Sequence, residues 1–222
     1  MNKNIDYLKS HYENYKYPEP VQDINKELIE NNIVYYDDPT YNWHKIFPEK
    51  PFSKDKISIL IAGCGTEQAA IIAKLSPQHE VIGVDLSTNS LKHQKKLINK
   101  HKINNLKLIN NDFREIKFDK KFDLIVSNPP YLPDVSLKNL NLDIKLYEPK
   151  IALQGGVQGV DFLCKIIDLA SKIIKINGLL ALEIGDNQFQ ILAKYLKKNR
   201  FKILNKYILI NKQVRCLVAT KL

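Results

Sequence analysis

Residues 57–63, ISILIAG, followed by TEQAAIIAKLS at 66–76 and EVIGVDLS at 80–87, decide the fold. The first and last are short β-branched apolar runs, the pattern of buried strands, and the middle one carries the spacing of a helix. Strand, helix, strand in about 30 residues is a βαβ unit, whose two strands run parallel because the helix carries the chain back. The same alternation continues outward. STNSLKHQKKLINKHK (87–102) predicts a helix with Leu91, Leu97 and Ile98 on its inner side. LKLINND (106–112) and FDLIVSNPP (122–130) predict strands three and four. DFLCKIIDLASKIIKI (161–176) is amphipathic, with Phe162, Ile166, Leu169, Ile173 and Ile174 expected on one face and Asn177-Gly178 as its stop. LLALEIG (179–185) predicts strand five and NQFQILAKYLKKN (187–199) a helix. KILNKYILI and QVRCLVAT predict a closing hairpin turned at Asn211-Lys212. Seven strands result, in an α/β sheet that is mostly parallel with helices on both faces. Residues 1–55 differ: they are rich in tyrosine and proline, with one helical stretch, VQDINKELIE (21–30), and are expected to form an arm that packs its aromatics over the domain at 56–222 or serves as a lid or substrate-contacting element.

Composition narrows the classes. The chain has 222 residues, 44% hydrophobic and 26% charged, which suits one globular domain with an arm. No stretch has the roughly 18 apolar residues of a membrane span, and the start lacks a signal peptide's apolar run, so a cytoplasmic setting is expected. Cys64, Cys164 and Cys216 are far apart and odd in number, which fits neither a disulfide framework nor a zinc site, and no metal is expected. Lysines and arginines exceed acidic residues 34 to 24, for a net charge of +10. The arginines, however, are Arg114, Arg200 and Arg215, and the remainder is lysine. Nucleic-acid surfaces favour arginine's bidentate fork, so the charge permits an anionic partner without requiring one.

In open α/β sheets ligands bind beyond the carboxyl ends of the strands, so the chemistry is sought there. After strand one come Gly63, Cys64 and Gly65, a turn that lets backbone approach a ligand. After strand two come Asp85 and Leu86; an acidic residue twenty positions beyond Gly65 suits ribose hydroxyls, while its plainer role is a helix cap shared with Ser87 or Thr88. After strand three, Asp112 and Phe113 offer a carboxylate and a ring for adenine. Together they suit either a nicotinamide dinucleotide or S-adenosylmethionine, and Gln68 stands where the dinucleotide fingerprint wants glycine.

Strand four ends in Asn128-Pro129-Pro130-Tyr131. Two prolines stop the strand and hold the backbone extended, fixing the Asn128 side-chain oxygen and the Pro129 carbonyl as a fork. Such a fork suits the two hydrogens of a planar NH2 group, with Tyr131 against its plane. None of His11, His44, His79, His93 and His101 falls at the end of a strand, and none is assigned to catalysis.

FDLIVSNPPYLP, LYEPKIALQGGVQGVDFL and GLLALEIGDNQ, in that order, resemble the HemK-type protein-glutamine methyltransferases, a branch of the class I S-adenosylmethionine-dependent enzymes. The resemblance covers 57–222 for the fold and 122–190 for the narrower family. It implies a seven-stranded Rossmann-like class I methyltransferase sheet with a C-terminal antiparallel hairpin. It implies S-adenosyl-L-methionine held by Gly63, Cys64, Gly65, Asp85, Leu86, Asp112, Phe113 and Asn128, and an acceptor held by Asn128, Pro129, Pro130 and Tyr131, with Tyr147, Glu148, Pro149 and Gly155-Gly156 as a further wall. It further implies, as the expected partner, a translation release factor methylated on the glutamine of its GGQ motif. NPPY is shared with enzymes that methylate adenine or guanine amines in RNA or DNA, which is the alternative activity; a noncatalytic binding protein on the same fold is the second. Three positions depart from the family. Glu67 replaces the third loop glycine, either as a carboxylate favoured by the helix dipole or as a contact for the cofactor's amino group. Ile61 replaces an acidic residue, and the arm differs from the family's helical N-terminal domain.

Overall fold

The computed structural model describes residues 20–30, 55–139, 153–209 and 212–222. Seven strands, β1 (Ser58–Ala62), β2 (Glu80–Asp85), β3 (Leu106–Asn110), β4 (Phe122–Ser127), β5 (Ile174–Glu183), β6 (Phe201–Ile208) and β7 (Val214–Lys221), form one sheet. Its order is β3-β2-β1-β4-β5-β7-β6. The first five strands pair in parallel, and β7 enters antiparallel between β5 and β6. The helices are α1 (Ile24–Glu30), α2 (Gln68–Leu75), α3 (Thr88–His101), α4 (Asp161–Ile173) and α5 (Phe189–Lys198). The strand order reverses between β1 and β4, so the loops leaving those two strands diverge and open a crevice.

Alternate residues along each strand face two apolar layers. Leu60 and Ala62 join α4, α5 and the hairpin on one face, while Ile59 and Ile61 join α1, α2 and α3 on the other. Ile61 is therefore a core residue, 1% exposed, where the family carries an acid. The expected hairpin is present; Lys212 turns it with φ +63°, donating its N–H to the Leu209 carbonyl at 2.9 Å. Asn211 lies outside the described residues, as do the aromatics of residues 1–19 and 31–54.

The helix expected over 161–176 is shorter than its periodicity suggests. α4 stops at Ile173, and Ile174 already pairs with Phe122 as the start of β5. Asn177, at φ +60°, lies inside the irregular stretch of β5 between the Phe122–Ile174 and Leu124–Leu179 pairs, so it bends a strand and does not stop a helix. The inner face of α4 is Leu163, Ile166, Ile167, Ala170 and Ile173, with Phe162 and Leu169 only partly covered.

α1 belongs to the arm and docks on α3. Ile24 and Leu28 are buried in the core layer behind β1. The Ile24 N–H donates to His101 Nε2 at 3.1 Å, and His93 Nε2 donates to the Val21 carbonyl at 2.7 Å. Lys100 holds Asp23 at 2.9 Å. As acceptor, His101 Nε2 must be unprotonated, and burial and Lys74 lower its pKa below the ordinary 6.5, against the opposing pull of Asp23. A lowered histidine pKa means the docked state favours the neutral ring: its contribution is complete above 6.5 and is lost as pH falls through the lowered value. Hydrogen exchange across 21–28, corrected for its intrinsic rate, is expected to rise from about pH 7.5 to about pH 5.5, with no such rise in His101→Gln. Equal pH dependence in both proteins would remove His101 from this role.

Candidate active site

The turn after β1 is built against β2. The Gly63 and Cys64 N–H groups both donate to the Val84 carbonyl, at 2.9 and 3.0 Å. Gly63 and Gly65 hold φ of +76° and +59°, which glycine adopts without strain, and a Cβ on either would meet no atom within 4 Å. The space over the turn is open. From below, Gln94 of α3, fully buried, donates to the Cys64 carbonyl at 3.1 Å and the Gly65 carbonyl at 2.8 Å and accepts from Ala70 N–H at 3.0 Å. Cys64 is 1% exposed, and burial raises its thiol's pKa far above the ordinary value, which makes it a packing residue and not a nucleophile.

Asp85 closes the turn from β2. Its Oδ2 accepts from Gly65 N–H and its Oδ1 from Ser87 N–H, both at 2.8 Å. Ser87, not Asp85, caps α3, accepting from Ser90 N–H at 3.1 Å. Each Asp85 oxygen keeps a further lone pair, and the residue remains partly exposed beside Leu86, as a ribose ligand requires. Burial raises its pKa against the opposing amides of Ser87, Gly65 and Leu86. Asp85→Ala is expected to weaken binding of S-adenosylmethionine by about 1.5–3 kcal/mol, roughly ten- to a hundredfold, through the lost ribose contacts and the released Gly65 amide. Isothermal calorimetry checks this, and an unchanged Kd would reject the ribose role.

After β3, Asp112 and Phe113 are 6% and 8% exposed. Arg114 grips both Asp112 oxygens through Nε, at 2.8 and 3.0 Å, and through Nη2, so that the carboxyl stays below its usual pKa despite burial. The Phe113 ring sits in the main core layer, 6.3 Å from that of Phe118. Glu67, at the N-terminal end of α2, makes no side-chain cap there. Its carboxylate accepts from the Thr66 hydroxyl and faces the Val21 amide and His93, and burial raises its pKa. The departing residue thus lies among Thr66, Val21 and His93, neighbours that neither sequence reading anticipated.

β4 ends beside β1, where the Ser127 hydroxyl donates to the Ala62 carbonyl at 3.0 Å. Asn128 follows, exposed; Pro129 is buried and Pro130 partly so. The chain beyond is sewn to two distant segments. Leu132 N–H donates to the Leu153 carbonyl and Gly155 N–H to the Leu132 carbonyl, both at 2.8 Å. Gln188, 2% exposed, donates to the Tyr131 carbonyl at 2.6 Å and the Gln158 carbonyl at 3.2 Å and accepts from Gly185 N–H at 2.8 Å. Gly159 fits only because it lacks a Cβ, which would stand 2.2 Å from the Tyr131 carbonyl oxygen. The Tyr131 hydroxyl donates to Glu183 Oε1 at 3.1 Å, and Arg215 pairs with Glu183 at 2.8 Å. The ALQGG and LEIGDNQ blocks therefore do structural work at the β4 exit. Sequence reading missed Gln94, Gln188, Glu183 and Arg215. Tyr147, Glu148 and Pro149 lie outside the described residues.

Among the described residues, no cluster of three or more His, Cys, Asp or Glu side chains is placed to hold a metal, and no helix is long and apolar enough to cross a membrane. A turn of positive-φ glycines after β1, Asp85 bound to that turn and Asn128-Pro129 at the end of β4 flank the switch point of a sheet with the fold of class I S-adenosylmethionine-dependent methyltransferases. Residues 53–218 match the sequence family described as "Methyltransferase domain", and the chain belongs to that family; within it the motif blocks are HemK-like. The release factor glutamine methyltransferase of Clostridium acetobutylicum is 39% identical over 122 residues, 53% of this chain and 42% of that one. The ribosomal protein uL3 glutamine methyltransferase of Francisella tularensis is 36% identical over 110 residues, 49% of this chain and 35% of that one. The chain spans less than half the length of these relatives. In fold it is similar to magnesium protoporphyrin IX methyltransferase of Synechocystis PCC 6803, solved with bound SAM, at TM-score 0.62 and 13% identity over 100% of this chain and 99% of that one.

Proposed function

We propose that this protein transfers a methyl group to the side-chain amide nitrogen of a glutamine in a protein, foremost the GGQ glutamine of a peptide-chain release factor. The observation that carries this reading is the β4 exit, where NPPY is fastened by Gln188 and the Leu132–Leu153 pairing to the two blocks that separate glutamine methyltransferases from other NPPY enzymes. Relatives named for glutamine methylation support it.

The cofactor, when bound, supplies a methyl already activated on a positively charged sulfur. The Gly63-Cys64-Gly65 turn, Asp85 and Leu86 would hold and orient it, with Asp112, paired to Arg114, and Phe113, packed in the core, backing that site from the end of β3. An amide nitrogen is a weak nucleophile because its lone pair is delocalised into the carbonyl. The Asn128 side-chain oxygen and the Pro129 carbonyl accept the two N–H bonds of the acceptor, which favours pyramidal nitrogen and offsets the charge that develops there. Tyr131 lies against the amide plane and fixes its approach. No strong base is needed: once nitrogen is alkylated its extra proton is strongly acidic and is lost to water.

The test is to incubate the protein and labelled cofactor with a release factor, with that factor's Gln→Ala variant, and with bulk RNA. Label in the first alone is the expected result. The +10 charge favours a second reading, an exocyclic amine of adenine or guanine, and label in RNA alone would establish it.

A further inference from the structure

Tyr131 is held more tightly than a wall residue requires for packing alone. Its carbonyl is bound by Gln188 at 2.6 Å. Its hydroxyl donates to Glu183, the last residue of β5, and accepts from Arg215 Nη2 on β7. The Arg215 guanidinium also lies over the ring, its central carbon 4.5 Å from the centroid. Arg215 and Glu183 are 34% and 31% exposed, and an ion pair so open to water adds little to stability. The gain is geometric. A planar guanidinium can stack on a ring and donate along its edge at the same time, which a lysine ammonium cannot. The guanidinium covers the ring of Tyr131, its tip is pinned and its base is anchored, while the residue stays partly exposed.

We infer that Arg215 is a positioning residue for the acceptor: with Glu183 it fixes the Tyr131 ring as a wall of the acceptor site after Asn128. The inference rests on the amide-methylation reading above. Because Arg215 acts through the ring, its loss displaces the acceptor and leaves the cofactor loop untouched.

Arg215→Gln and Arg215→Lys are both expected to raise the acceptor KM about tenfold, since a small misplacement at the reacting pair is costly. The cofactor Kd should stay within about twofold in each. In a Tyr131→Ala background, Arg215→Gln should change kcat/KM no further, an outcome that a general structural role would not give. Wild-type behaviour of Arg215→Lys, or full additivity with Tyr131→Ala, would overturn the inference. Hydrogen exchange at Leu132, expected to quicken in Arg215→Gln, needs no acceptor. Should the wild type label RNA and not the release factor, the functional reading falls, and the same cycle run on that RNA still decides the role of Arg215.

Discussion

Asn128→Ala is expected to lower kcat by about a hundred- to a thousandfold, the usual cost of deleting one preorganised group facing developing charge. The cofactor Kd should hold near its wild-type value. Asn128 leaves β4 exposed while Ser127 below it is buried and tied to β1, so removing the side chain opens no core cavity. On the proposed reading, its contact with the acceptor strengthens only as charge grows on nitrogen, and a loss confined to the transition state appears in kcat. Single-turnover kinetics at saturating cofactor measure it. Normal turnover with weakened cofactor binding would move Asn128 from the reaction to the binding site.

Gln188→Ala is expected to be the most destabilising of the single changes described. Its amide satisfies the Gly185 N–H and the Tyr131 and Gln158 carbonyls at a buried position. Each buried backbone group left without a partner costs about 1–3 kcal/mol, less where water enters. A total near 3 kcal/mol follows, seen as a melting temperature lower by roughly 6–12 °C. Turnover should fall as well, because the Tyr131 backbone loses its anchor, whereas calorimetric binding of the cofactor to the still-folded protein should persist. Stability within about 0.5 kcal/mol of wild type would show the three-way bond to be dispensable.

The sheet was legible in the sequence because its signals are local. The β-branched run at 57–63 and the glycine turn behind it declare a buried strand and its exit, and the hairpin follows from two alternating runs. The end of α4 was not legible, since IKING reads as a helix tail until β4 claims Ile174 through a pairing with Phe122. The candidate site divided in the same way. Residues at strand ends were found by position. Gln94 and Gln188 were missed because a glutamine gives no sign, in its own neighbourhood, that it will be buried against backbone groups as far as 30 and 57 residues away, respectively. Arg215 was missed for the same reason, with Tyr131 84 residues distant. Glu67 was noticed, but its neighbours were not foreseen, since the dipole is a local effect whereas Val21 and His93 come from distant parts of the chain.

The place of β7 bears on how the protein is made. Synthesised after β6, it must enter between β6 and β5, so β6 has no place in the sheet until β7 has left the ribosome. Arg215 travels on that late strand and completes the clasp on Tyr131. A nascent chain could therefore form its cofactor turn early, from β1 and β2, while its acceptor wall waited for the closing hairpin. On the proposed reading, methyl transfer would then be withheld from chains still attached to the ribosome.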